Sequence, residues 1–369
     1  MNTKKILKYV GRALLVVLVT VLILVATVYL VVYKICNGPS PAAKDLFASS
    51  ILESGQMKFV AKLVLSKAEL EEIKNRNSRE EMNVDVLDKD MIHIDKNENP
   101  DDPKGPEETQ GTKKEYFDEN GVRIVEIAGS SYFAKLMIVK DPSQVCVGTT
   151  YPWGEHGKEL GEIVKSTGAV GGINGGLYVS TGNKGGSPLG VVVQNGKITC
   201  NKPGSNKGLY MIAMTNDDLL IIKSIEGMTS NDIIKYVEEA GIRDCVCFQE
   251  ENSDSNNHFV PLIINGEGRE MNGQGSGANP RTAIGQRADG AMLLLVTDGR
   301  GAGGHLGATA ADLISIMLEY GAVNAANLDG GSSSTMFYNN KYEMTSTTFY
   351  YQNSSWKLPT AYVVMPKSK

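Results

Sequence analysis

The chain has 369 residues, of which 41% are hydrophobic and 21% charged, and its 42 acidic and 37 basic side chains give a formal net charge of −5. Most of such a chain can build a substantial core, as one large domain or two small ones. Because the chain is not basic, nucleic acid is a poor default partner, and we expect none.

The first predicted element is a membrane-spanning helix. Residues from Ala13 to Val32 form an apolar run without charge or proline, long enough at ~1.5 Å per residue to cross a hydrocarbon core of about 30 Å. The residues after it are not the small ones of a signal-peptidase site, which favours a retained anchor. Basic residues cluster before the span, and only Lys34 follows closely. This asymmetry predicts a single-pass protein of the cell membrane, with a cytoplasmic tail of residues 1–12 and an extracytoplasmic remainder.

A stalk with short helices is predicted for residues 33–74. Apolar residues recur there at helical spacing, interrupted near Ser54 and Gly55, and Ser66 is a suitable N-cap. We therefore expect two short helices.

A charged flexible linker is predicted for residues 75–115. This stretch is rich in acids, lysine, proline and glycine, so it carries too little apolar surface to offset the entropy of ordering the chain. We assign it no chemistry.

The remaining residues, 116–369, are predicted to form an α+β domain, with a mixed β-sheet and flanking helices. Short apolar runs rich in β-branched residues alternate with glycine-rich turns. One helix is expected to end at Gly168. Cys245 and Cys247 lie two residues apart on a predicted strand, so they share one face. Packing in the core is the better interpretation for this pair than a metal site.

Two aspartates are predicted at the ends of successive strands. The run AMLLLVT ends on Asp298 and the run AVNAANL ends on Asp329. The helix between them has Thr309 as N-cap, Asp312 in a capping box and Gly321 as its stop. If the two strands run in the same direction, both carboxylates lie at one edge of the sheet and form a site.

The segment after Asp329 reads GGSSST, which is unusual after an apolar strand. Glycines let a ligand approach the backbone closely, and free backbone N–H groups and hydroxyls bind anions such as phosphate. The alternative is an ordinary Asp-Gly turn without a catalytic role, because that turn is common.

Several glycine-rich blocks of the domain carry a family resemblance. They are GGINGGLY, GGSPLGVVVQNGKI, VPLIINGE, NPRTAIGQRADGAMLLLVTDGR and GATAADLISIMLEYGAVNAANLDGGSSSTM. Together and in this order, over residues 116–369, they resemble the phosphodiester glycosidase family, which includes the enzyme that uncovers mannose 6-phosphate by removing N-acetylglucosamine. The resemblance implies hydrolysis of a sugar-1-phosphodiester. It also implies a bacterial, membrane-anchored member acting on an exopolysaccharide, a cell-wall polymer or another phosphate-containing polymer of the cell surface.

The resemblance and the chemistry of this bond assign roles to individual residues. The leaving group is an anionic phosphate, so a cation must hold it, and Arg281 has the planar fork for bidentate phosphate binding. Asp329 is expected to act as acid/base or nucleophile, with Asp298 as its partner. Substrate hydrogen bonds are expected from residues of the glycine-rich blocks and nearby loops: Asn174, Gly175, Gly176, Gly330, Gly331, Ser332, Ser333 and His305.

Some alternatives stay open at this point. Glu250 also follows a predicted strand and is another candidate for the second carboxylate. The sequence requires no cofactor, but it leaves a divalent cation open, although no compact run of carboxylates at EF-hand spacing is present. The competing functions are a phosphodiesterase that cuts the P–O bond and a catalytically inactive protein that binds a wall polymer or exopolysaccharide.

Overall fold

The structure is a computed structural model that describes residues 3–53, 58–94, 116–179, 184–252, 257–348 and 353–367. The helices of this part are α1 (Thr3–Asn37), α2 (Pro41–Leu52), α3 (Lys58–Val64), α4 (Lys67–Arg76), α5 (Leu160–Thr167), α6 (Ser230–Glu239) and α7 (Ala310–Glu319). The strands are β1 (Val122–Ala128), β2 (Phe133–Val139), β3 (Val145–Thr149), β4 (Gly171–Asn174), β5 (Tyr178–Val179), β6 (Ser187–Pro188), β7 (Gly190–Gln194), β8 (Lys197–Lys202), β9 (Leu209–Thr215), β10 (Leu220–Ser224), β11 (Ile242–Gln249), β12 (Glu251–Asn252), β13 (Asn257–His258), β14 (Pro261–Ile264), β15 (Glu267–Gly268), β16 (Thr282–Arg287), β17 (Met292–Thr297), β18 (Ala322–Asn327), β19 (Met336–Tyr338), β20 (Lys341–Met344) and β21 (Thr360–Val364).

Helix α1 contains the predicted membrane span. Its stretch Lys5–Asn37 is long and apolar enough to cross a membrane, by length and composition. The end of α1 joins α2, α3 and α4 in a small apolar core that includes Val32, Ala48, Ala61 and Ile73. The apolar N-terminal helix is thus present, and a bundle of short helices follows it directly.

We call residues 41–53 and 58–94 the neck. The neck has three short helices instead of the two expected, because Ser66 ends the helical run and caps a new helix in a capping box with Glu69. Ser66 is therefore confirmed as an N-cap. The predicted break at Ser54 and Gly55 lies outside the described residues.

The first part of the predicted linker packs on the domain. Val84 belongs to the main hydrophobic core. The backbone N–H of Asn272 donates to the Ser78 carbonyl over 2.9 Å, and that of Glu80 donates to the Glu270 carbonyl over 3.0 Å. Residues 75–94 are therefore part of the neck and the domain surface, whereas residues 95–115 lie outside the described part.

The described residues of the domain form three large sheets and two two-stranded ones, β5-β6 and β12-β13. The largest has the order β1-β2-β17-β16-β18-β14-β15, and the two five-stranded sheets have the orders β10-β9-β11-β7-β8 and β20-β19-β4-β21-β3. Every ladder between the described strands is antiparallel. The α+β class is confirmed, with antiparallel pairing where we had expected mixed strand directions.

The three large sheets share one core, and a helix packs on the face of each sheet that points away from this core. Along β17, Met292 and Leu294 point into the core between the sheets, whereas Leu293 and Leu295 pack with Leu313 of α7 on the other face. This is the period of two that a strand buried on both faces requires. The outer faces of the two five-stranded sheets are covered in the same way by α6 and α5. Cys245 and Cys247 lie together on the α6 side, as predicted.

Strands β17 and β18 set the position of the two aspartates. Both pair antiparallel with β16, so they run in the same direction with β16 between them. At about 4.8 Å between neighbouring strands, their ends lie roughly 10 Å apart at one edge of the sheet. Arg281, just before β16, lies between them at this edge and exchanges hydrogen bonds with Thr297.

The predicted capping box of Thr309 and Asp312 at α7 is also confirmed.

Candidate active site

A pocket with a cavity volume of about 100 Å³ lies at this edge of the sheet. Its lining comes from the strand ends, the loop before β16, the segment around β13 and the neck. The lining residues are Glu53, Phe248, His258, Asn279, Arg281, Arg300, Asn327, Asp329, Gly330 and Gly331.

Asp329 lines the pocket and has a carboxyl whose pKa is raised. Burial raises its pKa from 3.8 to about 6, against the opposing effects of hydrogen bonds from Ser333 and Gly330 and of the nearby Arg300 charge. The backbone N–H of Gly330 donates to Asp329 Oδ1 over 3.0 Å. A carboxyl with this pKa exchanges its proton near neutral pH, as a general acid or base must.

The buried side chain of Asn174 binds the main chain of Asp329. Its Nδ2 donates to the Asp329 carbonyl over 2.6 Å, and its Oδ1 accepts from Thr282 Oγ1 over 2.7 Å and from the Thr335 N–H over 3.2 Å. Its side chain is completely buried. Both polar atoms of the amide are thus bound within the protein, and the expected direct hydrogen bond to substrate stays a prediction.

Gly175 and Gly176 lie where the chain packs closely against its neighbours, and their contact with substrate stays a prediction. A Cβ on Gly175 would lie 2.6 Å from Thr360 Oγ1, and one on Gly176 would lie 2.3 Å from the Cys247 carbonyl oxygen. Both glycines are buried.

Several polar groups of the glycine and serine segment after Asp329 are bound within the protein. The N–H of Gly330 is bound to Asp329, and the N–H of Gly331 donates to the Pro280 carbonyl over 2.8 Å. Ser333 Oγ lies 2.9 Å from the hydroxyl of buried Tyr178. The expected anion site of backbone N–H groups is therefore not formed by these two glycines, although both line the pocket.

Arg281 is anchored on several sides. Its Nη2 donates to Glu53 Oε2 over 2.5 Å and to the Gly277 carbonyl over 2.7 Å, and its Nε donates to the Ala308 carbonyl over 3.3 Å. The guanidinium carbon lies 4.9 Å from the centre of the Phe259 ring. Nη2 is thus committed to Glu53, Ser276 and the backbone, and bidentate phosphate binding by Arg281 stays a prediction.

Arg300 is the exposed cation of the pocket. Its Nη1 donates to Ser332 Oγ over 3.2 Å and its Nε donates to Asn279 Oδ1 over 3.4 Å. A Cβ on Gly331 would lie 2.7 Å from Arg300 Nη2, so the glycine leaves room for this side chain. Arg300 was not predicted as a site residue, although its place directly after Asp298 and Gly299 at a strand end was a usable indication.

Two polar atoms of the lining are buried and lack a hydrogen-bond partner among the described residues. They are His258 Nδ1 and Asn327 Oδ1. Burial lowers the pKa of His258, and its ring lies 5.4 Å from that of Phe248. Orphaned buried polar groups are rare, and a pocket for a polar ligand is where they are expected. Sequence reasoning missed both, because nothing local marks them.

Asp298 and Glu250, the two candidates for a second carboxylate, are engaged away from the pocket. Asp298 accepts from the Phe133 N–H over 2.7 Å, and its other oxygen lies 2.7 Å from Nδ1 of His305. Glu250 accepts from the Val260 N–H over 2.8 Å and from Arg269 over 3.1 Å. The carboxylate that joins Asp329 in the described lining is instead Glu53 of the neck. No three His, Cys, Asp or Glu side chains in the described ranges are grouped to hold a metal ion.

Comparisons with known proteins cover much of the domain. The family model described as phosphodiester glycosidase matches residues 167–365, more than half of the chain. The SPbeta prophage-derived uncharacterized protein YomE of Bacillus subtilis (strain 168) is 45% identical over 64 residues, which are 17% of this chain and 10% of that protein. The chain thus spans about a tenth of the length of this relative.

One solved enzyme domain shares the fold, and a second structure is similar over part of the chain. The catalytic domain of zebrafish N-acetylglucosamine-1-phosphodiester alpha-N-acetylglucosaminidase, described as auto-inhibited by pro-peptide, matches with a TM-score of 0.50 and 18% identity. The match covers 67% of this chain and 82% of that one. A hypothetical protein from Synechocystis matches over 67% of this chain and 61% of its own, with a TM-score of 0.40 and 16% identity.

Proposed function

Because the chain belongs to the phosphodiester glycosidase family, we propose that it is a hydrolase that cleaves a sugar-1-phosphodiester at the glycosidic C–O bond. The observation that carries this proposal is the Asp329 carboxyl, whose pKa burial raises to about 6 in a pocket that it shares with the exposed Arg300. A carboxyl of this kind suits proton transfer or nucleophilic attack. A guanidinium suits an anionic phosphate.

The reaction adds water across the bond between the anomeric carbon and the phosphate oxygen. The C–O bond breaks, its electron pair leaves with the phosphate monoester, and the oxygen of water becomes bonded to the anomeric carbon. Because the leaving group is already an anion, a cation stabilises its departure more than a proton does. We therefore assign the ionised form of Asp329 to the sugar side, as general base or nucleophile, and Arg300 to the phosphate.

The remaining residues support this pair. Asn174 binds the main chain of Asp329, and Ser333 connects its carboxyl to Tyr178. Buried polar groups at the pocket wall, His258 Nδ1 and Asn327 Oδ1, suit a ligand rich in hydroxyl groups. Sugar hydroxyls both donate and accept, so they can satisfy either atom.

The N-terminal helix supports a membrane location for the enzyme. We propose a single-pass anchor, with the N-terminus in the cytoplasm and the domain outside, because basic residues cluster before the apolar stretch of α1. An external domain held at the membrane would meet cell-surface glycans and phosphate-containing polymers. These polymers are therefore the proposed substrates.

A product screen tests the proposal. The full chain in detergent is incubated with sugar-1-phosphodiesters and teichoic-acid-like polymers, with Asp329→Asn as the matched inactive control. We expect a reducing sugar and a phosphate monoester from the wild type only. Release of a sugar-1-phosphate would instead indicate P–O cleavage, and polymer binding without any product would indicate a binding protein. Either result would overturn the proposal.

A further inference from the structure

The second carboxylate of the described pocket lining belongs to the membrane-proximal neck. Glu53 follows α2 and its side chain is only 4% exposed, although it lies on the surface of the pocket. It is separated from its partner Arg281 by 228 positions in the sequence. The pocket is thus completed by a segment that precedes the domain.

Glu53 binds the loop that leads into β16. Its Oε2 accepts from Arg281 Nη2 over 2.5 Å and from Asn279 Nδ2 over 3.1 Å. Its Oε1 accepts from the Gly277 N–H over 2.7 Å. One residue further, the Ala278 N–H donates to Ser50 Oγ over 2.9 Å. Ser50 of α2 and the adjoining Glu53 therefore hold four residues of this loop, Gly277, Ala278, Asn279 and Arg281, in one arrangement.

The docking of α2 on this loop leaves no space between the two backbones. A Cβ on Gly277 would lie 2.3 Å from the Ser50 nitrogen and 2.4 Å from the Ser49 carbonyl carbon. Arg79, also of the neck, donates to the Gly275 carbonyl, and its guanidinium carbon lies 4.9 Å from the centre of the Phe259 ring. The Phe259 ring is the one that Arg281 also contacts. The neck is therefore built into the wall of the pocket.

These contacts fix the orientation of the Arg281 guanidinium. Its Nε and Nη2 are used by Ala308, Glu53, Ser276 and Gly277. Its Nη1 makes no hydrogen bond within the described ranges, so this donor stays available to a ligand of the pocket that Arg281 lines. A buried guanidinium without its anion carries an uncompensated charge, so it would move or draw in water.

We propose that Glu53 is a positioning residue of the active site: it sets Arg281 and the Gly277–Arg281 loop beside Asp329, so that full activity requires the neck. This inference rests on the proposed function, since it concerns the same pocket. The competing interpretation is that Glu53 occupies the phosphate site and blocks it. Three hydrogen bonds from one loop and the contact at Gly277 favour positioning, because a blocking group needs neither.

Two variants separate these interpretations. Both oxygens of Glu53 accept from N–H donors, so the amide of Glu53→Gln must place its own NH₂ against a donor in either orientation. Gly277→Ala keeps every charge but pushes α2 off the loop. The matched control is Asp45→Asn, which makes the same acid-to-amide change in α2, where Asp45 binds Arg76 over 2.8 Å.

The experiment uses the full chain in detergent and compares kcat, KM, the melting temperature and the affinity for inorganic phosphate. We expect Glu53→Gln and Gly277→Ala to lower kcat/KM by about 10- to 100-fold, the scale of a small displacement of a catalytic group. Both should also bind phosphate more weakly, measured well below their melting temperatures. Asp45→Asn should match the wild type.

Raised activity and tighter phosphate binding in Glu53→Gln would establish a blocking role and overturn the proposal. A lower melting temperature with unchanged kcat/KM and unchanged phosphate affinity would overturn it as well, because Glu53 would then be purely structural. If the wild type hydrolyses no sugar phosphodiester, the proposed function fails, but the phosphate affinities of the variants still decide the role of Glu53.

Discussion

The ends of β17 and β18 look alike in sequence but contribute different groups to the pocket. Each apolar strand is followed by an aspartate and a glycine, Asp298-Gly299 and Asp329-Gly330. At the end of β18 the aspartate itself lines the pocket and has a raised pKa. At the end of β17 the aspartate binds His305 and the Phe133 N–H, and the arginine two residues later reaches the pocket instead.

The end of a strand therefore places a segment of chain at the site, but it does not determine which side chain of that segment lines the pocket. The turn conformation decides which residue points inward. Arg300 adopts a positive φ of 54° directly after Gly299, a conformation that non-glycine residues seldom adopt. The proposed carboxylate, Asp329, thus lies at the end of β18 and the proposed phosphate ligand, Arg300, at the end of β17. The two residues can be tested separately.

Asp329→Asn should have the largest effect. The amide keeps the size of the side chain but cannot take up a proton or attack the sugar. We expect turnover to fall by about 100-fold or more, in a variant whose melting temperature is not lower than that of the wild type. Steady-state kinetics and thermal unfolding of the purified chain measure this. A folded, fully active variant would remove Asp329 from the mechanism.

Arg300→Lys should reduce kcat/KM by at least ~10-fold, about 1.4 kcal/mol of transition-state stabilisation. Lysine keeps the charge but loses the planar fork, so the loss should occur with little change in stability. Arg281→Lys is the comparison, because Arg281 is buried and bonded on several sides. It should lower the melting temperature clearly. Equal activity of Arg300→Lys and wild type would show that the phosphate is held elsewhere.

The pH dependence should follow Asp329. If the ionised carboxylate acts, kcat/KM should rise about tenfold between about pH 5 and about pH 7, with an apparent pKa near the value of about 6 that burial produces. The raised pKa also means that the fold favours the neutral acid. This stabilisation is present below about pH 3.8 and is lost as the pH rises through about 6.

Melting curves across the same pH range provide the control. The melting temperature of Asp329→Asn relative to wild type should increase from acidic to neutral pH, since only the wild type loses stability as Asp329 ionises. A flat difference across this range would contradict the raised pKa of Asp329.

Asp298→Asn should have the smallest effect on catalysis. We expect kcat/KM within about threefold of wild type and a melting temperature lower by a few degrees, because the variant weakens the hydrogen bonds to Phe133 and His305. A loss of about 100-fold in a folded Asp298→Asn chain would restore Asp298 as the catalytic partner.

Local sequence patterns predicted much of the fold. Ser66 and the pair Thr309 and Asp312 were identified as helix caps because capping depends on residues three positions apart. The shared direction of β17 and β18 entered only as a condition for a common site, and the β16 that lies between them was not predicted. The order of strands in a sheet depends on pairing between residues far apart in sequence. The hydrophobic periodicity of each segment indicates only its local structure.

The site was predicted less completely for the same physical reason. Asp329 follows from a strand end and its glycines, which are local. Glu53 reaches the pocket from a helix 228 positions away in sequence from Arg281, and no local pattern reports such a contact. Asn174 was predicted as a substrate ligand, and its fully buried side chain binds the main chain of Asp329.

In the proposed reaction, this pocket breaks the bond between sugar and phosphate oxygen by attack at the anomeric carbon. Turnover of a sugar-1-phosphodiester in ¹⁸O-labelled water, followed by mass spectrometry of both products, tests it most directly. We predict one labelled oxygen in the released sugar and an unlabelled phosphate monoester. Label in the phosphate, with unlabelled sugar, would show attack at phosphorus and exclude cleavage of the C–O bond.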